Sequence, residues 1–220
     1  RTLLDWPKDV AALADHLGFD RFAVGGGSGG GPHALACAHQ LADRVSITLL
    51  LSSPAPANIP GATKGMAMGN RIGLLLGRYA PWVYGFLVGS YQKKFKEDPD
   101  GVLDGMAAQM GKSDQELLRD PHFRATILLD MTEAYRQGVQ AHLLDGSLGM
   151  TSRGWGFDLR EIKVPVRLWW GEEDTLVTRA MTEHLAAVIP DAHLHVIAGA
   201  GHLLTESPIV VQEVRAALGL

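Results

Sequence analysis

The sequence predicts an α/β fold, a mostly parallel sheet with helices on both faces and a helical insert. Three observations support this prediction. Short apolar segments of strand length alternate along the chain with amphipathic segments of helical length. Residues 45–53 form a nearly continuous apolar run, as expected for a parallel strand covered on both faces. Between the second and third predicted strands lies a long stretch in which only helical patterns are found.

The first quarter of the chain contains two predicted helices and two predicted strands. Residues 5–17 form an amphipathic helix, which Gly18 is placed to end as a C-terminal cap. A short buried strand follows at 21–24, then a glycine-rich turn and a helix over 32–41. The apolar run described above completes this part. Each strand is thus followed by a helix or preceded by one, which indicates βαβ connections.

The last third of the chain returns to the same alternation. Residues 164–171 and 193–199 are predicted strands, with a helix over 178–190 between them. A final helix begins after Ser207, a capping residue, with Pro208 at its first position. A length of 220 residues suffices for one domain with a substantial core and an inserted subdomain.

These patterns divide the chain into a core and an insert. We expect the core to comprise residues 1–53 and 159–220, and the insert, a helical cap, to comprise residues 54–158. The insert includes a strongly apolar stretch over 66–90. Because two arginines and a proline interrupt it, we expect no membrane span there.

Charge and cysteine content exclude several classes of partner. The net charge is −4 with both signs scattered, which disfavours a nucleic-acid surface. A single cysteine, Cys37, excludes an intrachain disulfide framework and is compatible with a reducing compartment, so a cytoplasmic location is expected. Its place on an apolar helix face predicts a small buried side chain rather than a reactive thiol.

Three glycines precede and three glycines follow a single serine, Ser28, in residues 25–31. Residues 26–30, GGSGG, fit the pattern G-x-S-x-G between a strand and a helix. In such a turn Ser28 adopts a strained backbone that projects its hydroxyl, and Gly26 and Gly30 allow strand and helix to approach without Cβ clashes. The N–H of Gly29, at the helix start, is a candidate donor to an oxyanion.

The same glycines permit a second interpretation. Gly25, Gly27 and Gly30 also satisfy G-x-G-x-x-G, the pattern of a dinucleotide-binding turn. Such a site would require an acidic residue at the end of the next strand. That strand ends in LLLSS, without an acid, so the nucleophilic serine is favoured.

A serine nucleophile needs a base, and the two later strands offer an imidazole and a carboxylate. His202 follows the last predicted strand in a loop of small residues, and Asp174 follows the preceding strand. All three candidates lie at the carboxyl ends of parallel strands, where open α/β sheets form their sites. The chain order Ser28, Asp174, His202 is that of one particular fold. Glu172 and Glu173 are alternative acids by spacing alone, whereas the remaining histidines have no comparable context.

These segments resemble the α/β-hydrolase fold family over nearly the whole chain. The resemblance lies in the first helix, the turn GGGSGGGP, the strand ITLLLSSPAP, the segment WGFDLREIKVPVRLWWGEEDTLV and the end IPDAHLHVIAGAGHLLTESP. It implies that Ser28 attacks the substrate, Asp174 orients the base and His202 transfers protons, without a metal or organic cofactor. It also implies a helical cap after the second strand, which agrees with the insert. Within the family the chain is most similar to capped bacterial esterases, lactonases and proline-iminopeptidase-like enzymes.

The expected function is hydrolysis of an ester, lactone or amide of a small, mostly apolar substrate through an acyl-enzyme on Ser28. Two alternatives remain open. The same triad could serve perhydrolysis of the haloperoxidase type, carbon–carbon bond hydrolysis or transfer to an alcohol, or the protein could be a ligand-binding homologue without turnover. A serine at this position argues against dehalogenase or epoxide-hydrolase chemistry, in which the resemblance implies an aspartate.

The chain departs from the family pattern at its start. In the family, several strands precede the first helix, and a loop after one of them supplies the second oxyanion donor. We therefore expect an N-terminal segment of the same hydrolase, in the same polypeptide or carried on a separate chain, to pair with the strand at 21–24, which otherwise has a free edge. The 220 residues alone are expected to be inactive and poorly soluble.

Overall fold

The computed structural model contains a four-stranded parallel sheet with strands in the order β1-β2-β3-β4. It describes the backbone of residues 1–150 and 154–220, and the side chains of the same residues except 147–150. The strands are β1 (Phe22–Gly27), β2 (Val45–Leu51), β3 (Val166–Gly171) and β4 (Ala192–Ile197). Each predicted strand is present, and the predicted fold class is confirmed.

Helices connect and flank the strands. They are α1 (Trp6–Leu17), α2 (Gly31–Gln40), α3 (Met68–Tyr79), α4 (Pro81–Glu97), α5 (Pro99–Ala107), α6 (Lys112–Leu117), α7 (Pro121–Ala134), α8 (Gln140–Met150), α9 (Arg179–Val188) and α10 (Pro208–Ala217). Gly18 ends α1 with a left-handed backbone, φ 74°, as predicted. Proline at the start of α10 and the Ser207 hydroxyl, which accepts a hydrogen bond from the Val210 N–H at 3.5 Å, define the beginning of the last helix.

Side chains that alternate along β3 build a core on both faces of the sheet. Leu168 and Trp170 belong to the same buried cluster as Leu35 of α2. The side chain between them, Trp169, is buried on the opposite face with Val210 of α10. Helices therefore cover both faces of β3, which explains why its sequence is apolar almost throughout.

Strand β1 extends further than its sequence pattern indicates. The predicted strand ended at Val24, but the glycines that follow continue in register with β2, Gly25 opposite Leu49 and Gly27 opposite Leu51. Glycine has low strand propensity, so the pattern alone assigned these residues to a turn. Because Gly25 and Gly27 lie within a strand, they do not form the phosphate-binding loop of the dinucleotide interpretation.

One edge of β1 has no partner strand among the described residues. β1 pairs with β2 alone, and alternate residues along it are exposed. Helix α1 also has exposed apolar side chains: Leu13 and Leu17 are 58% and 54% accessible, although the helical spacing of Val10, Leu13, Ala14 and Leu17 predicts one buried stripe. Of the predicted stripe only Ala14 is buried, together with Pro7 in the first turn of the helix.

Helices α3 to α8 lie between β2 and β3 in the chain, within the predicted insert. Residues 151–153 of that insert lie outside the described residues, and its predicted limits, 54 and 158, stay a prediction. Across the described helices, none combines the length and hydrophobicity that crossing a membrane requires.

Candidate active site

The backbone turns sharply at Ser28, immediately after β1. Ser28 has φ 46°, in the left-handed region that side chains other than glycine rarely adopt. A single 3₁₀ turn, Ser28–Gly30, follows and leads directly into α2. This conformation costs free energy, and such strain is concentrated at functional positions. The serine is therefore presented at the carboxyl edge of the sheet, as its motif predicts.

Two glycines make this turn possible, and only one of them is among those predicted. A Cβ on Gly26 would lie 2.4 Å from the Gly30 carbonyl oxygen, so glycine is required there. A Cβ on Gly30 would have no atom within 4 Å, so the predicted steric role of Gly30 is wrong. The second close approach is at Gly31, where a Cβ would lie 1.7 Å from the Ser53 Oγ. The start of α2 is thus close both to β1, at Gly26, and to the segment after β2, at Ser53.

Asp174 is fully buried and held by its own loop. Its Oδ1 accepts hydrogen bonds from the backbone N–H groups of Leu176 at 2.8 Å and Val177 at 2.9 Å. Its Oδ2 lies 2.9 Å from the Nδ1 of His202, and its side chain is 0% exposed. An ionised carboxylate only accepts hydrogen bonds, so Nδ1 carries the proton and Nε2, on the other side of the ring, has a free lone pair.

The loop that carries His202 folds over the end of β3. A Cβ on Gly171, the last residue of β3, would lie 2.0 Å from the Gly201 carbonyl oxygen and 2.5 Å from that of Ala200. The Glu173 N–H also donates to the Ala200 carbonyl at 2.8 Å. This close backbone contact brings His202, in the loop after β4, to the loop after β3, where the Asp174–His202 pair forms.

Ser28 lies on the same edge of the sheet as the Asp174–His202 pair. Adjacent strands are separated by about 4.8 Å, so β1 is about 10 Å from β3. The contacts at Gly171 place the His202 loop above β3 rather than β4, which shortens the span to Ser28. Among the hydrogen bonds of the described residues, none joins Ser28 to His202. The structure therefore brings Asp174 and His202 into hydrogen-bond contact, with Ser28 at the same edge of the sheet.

Other sequence candidates have different surroundings. Gly29 is in the first turn after Ser28, where backbone N–H groups have no acceptor within the helix. Glu172 and Glu173 are exposed and do not contact the imidazole. His33, in the first turn of α2, contacts the Gly29 carbonyl at 3.2 Å and packs edge-on against Trp6, as a packing residue does.

Burial makes Cys37 unreactive, as predicted from its helix face. Its side chain is 1% exposed, and desolvation raises the pKa of the thiol to about 11. No cluster of three or more potential metal ligands is found in the described part of the chain. An open cavity of about 660 Å³ lies between residues 154–160 and α9, and neither Ser28 nor the Asp174–His202 pair lines it.

Asp114 has a structural role that its sequence context did not indicate. It lies in α6 of the insert, in a polar segment that reads as an exposed helix, yet it is 1% exposed. Its carboxylate accepts hydrogen bonds from the backbone N–H groups of His202 and Leu203, both at 2.9 Å. No local pattern marks a contact between residues 88 positions apart.

The family of the chain follows from a direct comparison. A model of the α/β-hydrolase fold matches residues 2–207. The chain belongs to the α/β-hydrolase fold family. No curated protein sequence matches it.

Solved structures agree with this assignment. Est816, described as an enzyme that degrades N-acyl homoserine lactones, is 25% identical, with a TM-score of 0.62 over 98% of this chain and 74% of its own. An esterase from Thermogutta terrifontis is also 25% identical, with a TM-score of 0.60; the match covers 100% of this chain and 72% of the esterase. An α/β-hydrolase fold protein from Nakamurella multipartita is 21% identical, with a TM-score of 0.63; the match covers 99% of this chain and 75% of that protein. The family and these neighbours support hydrolase activity.

Proposed function

We propose that the chain is a serine hydrolase that cleaves an ester, lactone or amide of a small, mostly apolar substrate. The observation that carries this proposal is the buried Asp174–His202 hydrogen bond of 2.9 Å, at the sheet edge where Ser28 is presented with φ 46°. Similarity to an esterase and to a lactone-degrading enzyme, each 25% identical, favours carbon–oxygen ester bonds as the substrate class.

The first half of the reaction forms an acyl-enzyme. The Ser28 Oγ attacks the carbonyl carbon while its proton moves to the Nε2 of His202. The Gly29 N–H donates a hydrogen bond to the oxyanion, and Asp174 stabilises the imidazolium through Nδ1. The imidazolium then donates its proton to the leaving alcohol or amine, the carbonyl–leaving-group bond breaks, and the acyl group remains on Ser28.

The second half returns the enzyme to its starting state. His202 removes a proton from a water molecule, whose oxygen attacks the acyl carbon. The tetrahedral intermediate collapses, the bond to the Ser28 Oγ breaks, and the proton on Nε2 returns to the serine. One water is consumed, and one carboxylic acid and one alcohol or amine are released, without a metal or organic cofactor in any step.

A fluorophosphonate probe, which phosphonylates activated serines, tests the proposal. In the natural protein the probe should label Ser28, and Ser28→Ala should abolish both labelling and hydrolysis of p-nitrophenyl esters. Ser90→Ala is the matched control, because the Ser90 hydroxyl only donates to the Phe86 carbonyl of its own helix. Absence of labelling in the wild-type protein would reject the enzyme and favour a ligand-binding homologue.

The same proposal includes a further strand, which would pair with the edge of β1 that faces away from β2. The unpaired edge of β1 and the exposed Leu13 and Leu17 of α1 are surfaces that a packed hydrolase core normally covers. We propose that an N-terminal segment of the same hydrolase covers them. Hydrogen exchange of β1 amides should be fast in the 220-residue chain alone and slow when the proposed N-terminal segment is present. Equal exchange in both would reject the pairing.

A further inference from the structure

We propose that Asp114 is a positioning residue for His202, through which the insert sets the geometry of the acid–base pair. The inference rests on the proposed function and extends it to a residue outside the triad. It concerns the histidine loop, residues 198–203, and the acid loop, residues 172–178, which carry the two members of the pair.

The Asp114 carboxylate holds the histidine loop by its backbone. Oδ2 accepts the N–H of His202 and Oδ1 accepts the N–H of Leu203, each at 2.9 Å, so each oxygen takes one of two successive amides. Gly201 leaves the space this requires, since a Cβ there would lie 2.2 Å from Oδ2. The peptide on either side of the catalytic imidazole is thus fixed by a single side chain.

The burial of this carboxylate makes its hydrogen bonds strong. Asp114 is 1% exposed, and none of the ion pairs formed by the described residues includes it. Two backbone N–H groups therefore satisfy its oxygens, and hydrogen bonds to a carboxylate are roughly twice as strong as neutral ones. An apolar replacement would leave both amides of the histidine loop without an acceptor.

The same segment of the insert also contacts the acid loop. The Thr175 hydroxyl donates to the Gln109 carbonyl at 2.9 Å. A Cβ on Gly111 would lie 2.7 Å from the Glu173 carbonyl oxygen, so the two backbones are in close contact. Residues 109–114 therefore touch both loops. By holding both loops, residues 109–114 set the distance between Asp174 and His202. We therefore expect Asp114 to affect the chemical step rather than substrate binding.

Two substitutions, Asp114→Ala and Asp114→Asn, test this in the natural protein. Alanine removes both acceptors and should lower kcat by about 100-fold, the cost of a displacement near 1 Å at a reacting group. Asparagine keeps one acceptor and should have a smaller effect. KM should stay within about threefold of the wild-type value. Each kcat is expressed per mole of enzyme whose serine is titrated by fluorophosphonate. Glu116→Gln, an exposed carboxylate on the same helix, should match the wild type.

A nuclear magnetic resonance signal separates positioning from a general loss of stability. The Nδ1 proton of His202, shared with Asp174, should give a strongly deshielded resonance that shifts or broadens in Asp114→Asn and not in Glu116→Gln. Wild-type kcat and an unchanged resonance in the Asp114 variants would overturn the inference; if Asp114→Ala does not fold, Asp114→Asn decides. Because the resonance does not require turnover, it tests Asp114 even if Ser28 proves unreactive, which would reject only the proposed function.

Discussion

Gly31 and Ser53 are in contact where α2 begins and β2 has just ended. A Cβ on Gly31 would lie 1.7 Å from the Ser53 Oγ and 2.5 Å from the Ser53 Cβ. Gly30, by contrast, has open space around it and a right-handed backbone, φ −74°. Two adjacent glycines of the same turn thus differ completely in their tolerance of a side chain.

Gly31→Ala should destabilise the protein by about 1–3 kcal/mol, because the new methyl group overlaps Ser53 and forces the strand and helix apart. Gly30→Ala, the matched control, should be neutral or stabilising by about 0.4–1 kcal/mol, since it restricts the unfolded chain without a clash. Urea unfolding measures both. The double variant Gly31→Ala, Ser53→Gly should recover part of the lost free energy of unfolding. If its stability equals that of Gly31→Ala alone, the strain does not arise from the contact with Ser53.

Asp174→Asn should lower the turnover of p-nitrophenyl esters by about 10⁴, because an amide in place of the carboxylate favours the wrong tautomer of His202. Stability should change less than activity. Glu173→Gln is the control, since Glu173 is the exposed neighbour of Asp174. A near-normal rate for Asp174→Asn would assign the acid role to another carboxylate.

Gly171→Ala should reduce activity and stability together. Its Cβ would overlap two backbone carbonyls of the histidine loop, at 2.0 and 2.5 Å, and backbone cannot move aside as a side-chain end can. Gly105→Ala, within α5 and with no atom near its Cβ, should stabilise the protein by about 0.5–1 kcal/mol. Thermal unfolding and ester hydrolysis report both effects. Full activity in Gly171→Ala would show that the loop does not need this contact.

Cys37 should react with iodoacetamide slowly in the folded protein near neutral pH. Burial raises the pKa of its thiol to about 11, and the thiolate is the reactive form. Unfolding exposes the thiol and returns its pKa towards the ordinary range, so labelling in urea should be at least about 100-fold faster. Mass spectrometry measures the labelled fraction with time. Rapid labelling without denaturant would mean that α2 opens readily.

The sequence predicted the strands, their parallel order of connection and the helices that cover them, because buried strands and amphipathic helices have distinct hydrophobic periods. It also predicted the close approach at Gly26, which follows from its motif. Element ends were less well predicted. The glycines after Val24 have no side chains to continue a pattern, so their place in β1 depended on pairing with β2.

By itself, the amino-acid sequence determined the fold class and which hydroxyl, carboxylate and imidazole stand at strand ends, since these depend on residue type and local order. The tertiary structure decided what holds them. A side chain at Gly171 would overlap the histidine loop because that loop crosses the end of β3, and Asp114 is buried because α6 packs on the same loop. Contacts between segments distant in the chain leave no local period, so they become apparent only in the folded protein.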